Sequence, residues 1–229
     1  MNLEEITAQI EEDKSWRISE LLFFQNVGSG ISDLTKHDQY RRALVLLLYS
    51  HFEGHIKLVL NLYVDAINSE KISFRRASHA IAAASMEKVF GELREANKKC
   101  IEFKNSLPDD TKLHRLARER EFLERSAEIM TQIVDIPDDY IDIESNLKPI
   151  VLRKNLYKVG LSHDQFDALT GTIDKLLVFR NKVAHGESRS GISLKDYMDL
   201  RDAAFKVMNE VGSGIIWAFD QKKYLLEPA

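Results

Sequence analysis

Helix-breaking residues are scarce in this chain, and their scarcity limits the folds that are open to it. The 229 residues include only 4 prolines and 10 glycines. Leucine, alanine, glutamate and lysine, which favour helices, fill the long stretches between these breaks. We therefore predict an all-α protein built as a helical bundle.

Apolar periodicity divides the chain into candidate helices. It predicts a first helix over 2–25 and a long, largely apolar central helix over about 39–68, capped by Asp38. Further helices are expected at 85–106, 111–134, 150–159, 164–185 (capped by Ser162 or Asp164) and from Ser193 to about 211. No linker separates these segments, so we treat 1–229 as a single domain with a less regular helical elaboration at about 72–140.

Composition narrows the class of protein. The net charge of −4 gives no global positive field, so any contact with RNA must come from a local patch. The one cysteine, Cys100, rules out an intrachain disulfide and suits a reducing compartment. The acidic stretch 1–14 lacks a signal-peptide core, and the longest clean apolar run, 43–49, is too short to span a membrane. We expect a cytoplasmic protein.

The stretch LLVFRNKVAHGE, residues 176–187, holds the residues most suited to chemistry. Gly186 is placed to end a helix in the left-handed conformation, so His185 falls at the last helical turn, where the helix dipole favours imidazolium. Arg180 lies about 140° away around the helix axis. The two side chains therefore meet only if the last turn loosens or a partner chain completes the site. An arginine and a histidine without a carboxylate cluster suit phosphodiester chemistry that needs no metal. The alternative is that both are ordinary cations at a helix C-terminus.

Three blocks of sequence, in order, resemble the HEPN superfamily (higher eukaryotes and prokaryotes nucleotide-binding domains), in particular its MAE-type branch from bacterial defence and toxin–antitoxin systems. The first block is 41–64, with YSHFEG at its centre, and the second is 143–161, with SNL and a closing GL. The third, 166–187, carries the R-x4-H motif of Arg180 and His185. The resemblance implies an all-α bundle that forms a homodimer in which two such motifs face each other.

The active members of this superfamily are metal-independent ribonucleases, and the resemblance assigns roles to individual residues here. Arg180 would stabilise charge on the scissile phosphate, and His185 would transfer a proton as the RNA 2′-hydroxyl attacks. Asn181 would orient the site, and Glu53 would pair with Arg180 or serve a purely structural role. Lys182, beside the motif, is the candidate for contact with the RNA backbone. No cofactor or metal is expected.

Two functions of different class follow. The first is an RNA endonuclease, acting as a homodimeric toxin or antiphage effector, with a cognate antitoxin or a neighbouring defence protein as partner. The alternative is a HEPN interaction or nucleotide-sensing module that does not cleave RNA. A separate HEPN branch carries a tyrosine that is modified two residues after the histidine; Glu187 stands there, so this regulation is not expected.

Other charged and metal-ligating residues receive weaker hypotheses. His51 and His55 share a helix face at i,i+4 and are either zinc ligands or polar residues on the less buried face of a core helix. The basic residues within 112–125 alternate with glutamates and are expected to form a salt-bridged, solvated face, the alternative being contact with RNA phosphates. Arg75 and Arg76 are candidates for contact with RNA phosphates.

Overall fold

The computed structural model describes residues 1–95, 99–100, 110–186 and 191–226. This part of the chain contains eight α-helices, and a 3-10 turn at Asp167–Leu169 leads into the seventh. The helices are α1 (Leu3–Gly28), α2 (Leu34–Ser69), α3 (His79–Ser85), α4 (Glu87–Arg94), α5 (Thr111–Ile129), α6 (Pro149–Lys158), α7 (Thr170–Ala184) and α8 (Leu194–Asp220). Extended pairing in the described ranges is limited to two isolated bridges. The prediction of an all-α fold is confirmed.

Helix α2 is the centre of the bundle. It packs against α1, α7 and α8, and its apolar residues are buried over most of its circumference. The long central helix predicted from the sequence is therefore confirmed. By length and composition alone α2 would also pass as a membrane span, which the short apolar run at 43–49 did not suggest. However, 56% of its apolar window is buried inside the bundle, as in the core helix of a soluble protein.

Several predicted helix ends are wrong. Asp33, rather than Asp38, caps α2, accepting a hydrogen bond from the backbone N–H of Lys36. Neither Ser162 nor Asp164 caps α7, which follows the 3-10 turn without a side-chain cap. The last helix begins near Ser193 as predicted, with Ser193 as its cap, but it runs to Asp220, well past the predicted end near 211.

The elaboration at about 72–140 differs from its prediction in detail. The helix expected at 85–106 corresponds to α4, which ends at Arg94, and the last part of the prediction lies mostly outside the described residues. The short helix α3, just before it, was not predicted. The backbone N–H of Val134 donates to the carbonyl of Ile72 (2.9 Å), and Ser85 and Asp135 exchange two hydrogen bonds. The elaboration therefore leaves the bundle and returns to it at neighbouring points.

Candidate functional site

The C-terminal end of α7 has the geometry expected from the sequence. The helix ends at Ala184, and His185 is its C-cap, donating its backbone N–H to the carbonyl of Asn181 (2.9 Å). Gly186 follows with φ +68°, in the left-handed region, and donates to the carbonyl of Val183 (3.2 Å). The last turn is thus regular, so loosening of the helix does not bring Arg180 and His185 together.

Arg180 is held by an aromatic ring and an amide. Its Nη1 donates to Oδ1 of Asn181 (2.9 Å), and its Cζ lies 5.4 Å from the ring centroid of Tyr49 on α2. A guanidinium over the face of a tyrosine is attracted by the electron density of the ring. The expected salt bridge between Arg180 and Glu53 is not among the ion pairs of the described residues.

Tyr49 is itself fixed from the opposite side. It is 3% exposed, and its hydroxyl accepts the backbone N–H of Leu147 (2.8 Å), which also donates to Oε2 of Glu53 (3.1 Å). Burial, and secondarily the negative charge of Glu53, raise the pKa of Tyr49 far above its usual value. The phenol therefore keeps its proton. Tyr49 and Glu53 are joined by the Leu147 N–H that both accept.

These contacts join the three sequence blocks in one place. The YSHFEG block supplies Tyr49 and Glu53, the second block supplies the backbone of Leu147, and α7 supplies Arg180. Sequence reasoning missed Tyr49. Its spacing of four residues before Glu53 was the available signal, since side chains at i,i+4 meet on one helix face.

His185 and Lys182 lie on a different side of α7 from Arg180, the residue that faces Tyr49. Val178, Lys182 and His185 follow an i, i+4, i+7 spacing and are exposed. No hydrogen bond or ring contact between described residues links the side chain of His185 to Arg180. Within one chain, the two residues of the motif therefore form two separate surfaces.

A cavity of about 220 Å³ adjoins the motif. Lys182, Arg42 and Asp196 line it, with Phe179, Val183 and Ile192 among the apolar residues of its wall. Two cations against one carboxylate leave the wall with a net positive charge, which suits an anionic group such as a phosphate. The geometry is compatible with contact between Lys182 and a nucleic-acid backbone.

The chain after the motif is fastened to the start of α2. The backbone N–H of Ile192 donates to the carbonyl of Asp38 (3.0 Å), and Nε of the buried Arg41 donates to the carbonyl of Ile192 (3.0 Å). A Cβ at Gly191 would lie 2.6 Å from the backbone carbon of Asp38, so this approach requires glycine. Glu187, discussed above as the position of a modified tyrosine, lies outside the described residues.

The two histidines of α2 belong to a helix interface. His55 Nδ1 lies 2.7 Å from Oδ2 of Asp13, and His51 Nε2 lies 2.7 Å from Oε2 of Glu20, both acceptors being on α1. Arg17 adds a bond to Asp13 (2.7 Å). Both imidazoles are buried, so the expectation that they lie on the less buried face of α2 is wrong. In the parts of the chain that the structure describes, no group of three or more metal-ligating side chains comes together.

The charged helix α5 has the solvated face that its sequence predicts. Arg115 pairs with Glu119 and Arg120 pairs with Glu124, each at 2.7 Å and i,i+4 spacing. These side chains are largely exposed. Their charges are balanced locally, so α5 offers no strong positive surface.

The all-α bundle, with its three joined blocks and a cationic helix end, has the architecture of a HEPN helical domain. A family model described as RiboL-PSP-HEPN matches residues 12–215, most of the chain, and the chain belongs to this HEPN family. The superfamily predicted from the sequence is thereby confirmed, and the family is consistent with a ribonuclease or a nucleotide-binding module. No significant match was found among curated proteins or among solved structures.

Proposed function

We propose that this chain is a metal-independent RNA endonuclease whose cleft is formed by Arg180 and His185 of two identical subunits. One observation carries the proposal: Arg180 is positioned by Tyr49 and Asn181, while no ion pair among the described residues neutralises it. A guanidinium that is oriented in this way keeps its charge for a phosphate, which it can hold through two parallel hydrogen bonds.

The homodimer resolves the separation of the two motif residues. Because α7 stays regular to its end, one chain presents Arg180 and His185 on different sides. Val178, Lys182 and His185 form an exposed face, with Val178 49% exposed. A twofold arrangement in which the His185 side of each subunit meets the Arg180 side of the other would cover Val178 and complete two motif pairs.

The proposed reaction needs only these side chains. One His185 takes the proton of the 2′-hydroxyl, whose oxygen forms a new bond to phosphorus while the bond from phosphorus to O5′ breaks. The imidazolium contributed by the other subunit returns a proton to O5′, and Arg180 stabilises the negative charge that builds on the phosphoryl oxygens. The products are a 2′,3′-cyclic phosphate and a free 5′-hydroxyl. Lys182, beside Arg42, holds a neighbouring phosphate.

The deciding experiment is cleavage of single-stranded RNA in EDTA. The wild type should cut, and both His185→Ala and Arg180→Ala should lose at least about 100-fold in rate, the usual contribution of a positioned acid or base. His79→Ala, an exposed histidine in the elaboration, is the matched control and should keep wild-type activity. Loss of cleavage in EDTA would overturn the metal-free reaction. Failure of the wild type to cut any RNA would favour the non-catalytic HEPN module.

We also propose the cellular setting that the sequence blocks suggest: the MAE-type branch, a cytoplasmic toxin or antiphage role, and a cognate antitoxin or neighbouring defence protein as partner. A growth assay tests it directly. Expression of the wild type should arrest growth, whereas expression of His185→Ala at an equal level should not. Equal growth with both proteins would contradict the toxin role, while the proposed cleavage reaction would still be tested by the RNA assay.

A further inference from the structure

Arg75 and Arg76, which the proposed cleft does not use, lie beside the C-terminal turn of the chain. The carbonyl of Arg76 accepts the backbone N–H of Leu226 (2.9 Å), and the backbone N–H of Ser78 donates to the carbonyl of Tyr224 (2.8 Å). The turn that precedes this pairing carries Lys222 and Lys223. Folding therefore gathers four cations from two segments that are distant in the sequence, and all four are exposed.

These cations differ from those of α5 in their partners. Among the described residues, none of Arg75, Arg76, Lys222 and Lys223 forms an ion pair, whereas Arg115 and Arg120 of α5 are paired with glutamates. Among the described residues, Glu70 lies close enough to Tyr224 to affect its titration, and Asp220 accepts a hydrogen bond from Gln221. The four cations thus form a local positive cluster in a chain of net charge −4.

An exposed indole adjoins the cations. Trp217, near the end of α8, is 52% exposed, and Nζ of Lys223 lies 5.1 Å from the ring centroid. A cavity of about 380 Å³ opens between Arg75, Arg76, Leu225 and Leu226. Cations that can follow a phosphate backbone, next to a flat ring on which a base can stack, are the two elements of a surface for single-stranded nucleic acid.

We propose that Arg75, Arg76, Lys222, Lys223 and Trp217, termed here the C-terminal basic surface, bind single-stranded RNA at a site separate from the cleft. The surface lies by the end of α2, twenty residues beyond Tyr49, which is about 30 Å along the helix axis. Under the proposed function, it is a docking site for the substrate outside the cleft. An anionic membrane is the weaker match, because the four cations lie on two short segments joined by an antiparallel bridge rather than on an amphipathic helix.

Binding is tested in full-length His185→Ala, which separates it from cleavage. The probe is a labelled single-stranded RNA of about 15 nucleotides, titrated by fluorescence anisotropy from about 50 to about 200 mM salt. Adding Arg75→Gln and Arg76→Gln should weaken binding about tenfold and flatten the slope of log Kd against log salt by about 1.4, for two lost phosphate contacts. Arg115→Gln with Arg120→Gln removes two exposed arginines from α5 and should change Kd less than about twofold.

Stacking has its own measurement. The chain has two tryptophans, so Trp16→Phe leaves Trp217 as the sole indole. RNA should quench its fluorescence, and Trp217→Ala should weaken binding about fivefold or more, as for other base–aromatic contacts. Unchanged Kd and salt slope in the Arg75/Arg76 variant would overturn the proposal. So would binding to phosphatidylserine vesicles without binding to RNA.

The two proposals fail separately in these experiments. RNA binding that depends on the C-terminal basic surface, together with no cleavage by the wild type, would support the binding surface and contradict the nuclease proposal. Cleavage in EDTA, combined with an RNA affinity that does not change when the C-terminal basic surface is altered, would support the nuclease and contradict the RNA-binding surface.

Discussion

The ring of Tyr49 lies beneath the guanidinium of Arg180, with its centroid 5.4 Å from Cζ. The ring is fixed in turn by the Leu147 backbone and by Glu53. A charged side chain on a helix surface normally samples several rotamers, and a positioned ring beneath it reduces that freedom. In the proposed reaction Tyr49 is therefore a positioning residue for Arg180.

Tyr49→Leu should lower kcat for RNA cleavage by about tenfold, because a misplaced arginine stabilises the transition state poorly. Tyr49→Phe keeps the ring and should retain most of the activity, while losing about 1 kcal/mol of unfolding free energy with its hydroxyl contacts. Tyr63→Phe is the control for stability, since the buried Tyr63 hydroxyl has no hydrogen-bond partner among the described residues. Cleavage rates and urea unfolding measure both effects. A fully active Tyr49→Leu enzyme would contradict the positioning role.

Mixed dimers test the shared cleft. If both copies of His185 are needed, refolding wild type with an equal amount of His185→Ala should leave about a quarter of the wild-type activity, since only dimers of two wild-type chains cut. Independent chains would leave about half. Cleavage is measured over a series of mixing ratios, and a linear dependence on the wild-type fraction would rule out the shared cleft.

Gly186 and Gly191 should respond to alanine for different reasons. A Cβ at Gly186 meets nothing within 4 Å, so Gly186→Ala costs about 1–2 kcal/mol through its left-handed backbone alone. Gly186→Asn should recover part of that loss, because asparagine tolerates this conformation. Gly191→Ala forces Cβ into the Asp38 backbone and should cost about 2–3 kcal/mol or more, with no rescue by asparagine. Urea unfolding distinguishes the two patterns.

The buried histidines make stability dependent on pH. Burial lowers the pKa of His55 and of His51, although Asp13 and Glu20 oppose the change. The unfolded chain, with histidines near their usual value of about 6.5, then binds more protons than the folded chain below that pH. The unfolding free energy should therefore fall as the pH drops from about 7.5 to about 5.5. The double variant His51→Gln with His55→Gln should flatten the dependence of the unfolding free energy on pH. An unchanged slope would show that other titratable groups cause the dependence.

Local features were predictable from the sequence. The end of α7 depends on an apolar helix followed by a glycine, and both signals lie within 176–186. The scarcity of breaks likewise sufficed for the all-α fold. Such features need no information about what the helix packs against.

Features that depend on distant neighbours were missed. The prediction ended α8 near 211, just before Gly212 and Gly214, whereas both glycines lie inside the helix. A Cβ at Gly212 would be 3.2 Å from Ile10, and one at Gly214 would be 2.8 Å from Phe166, so both glycines allow close packing. The contact between Tyr49 and Arg180 likewise joins two helices, and neither residue alone predicts it.

The reciprocal hydrogen bonds of Ser85 and Asp135 close the base of the stretch that carries α4 and α5. Since that stretch starts and finishes at touching residues, swapping it for a short connector would leave the chain's path through the bundle almost unaltered. A change in the length of the stretch between Ser85 and Asp135 should therefore leave the packing of the helices around Arg180 unchanged.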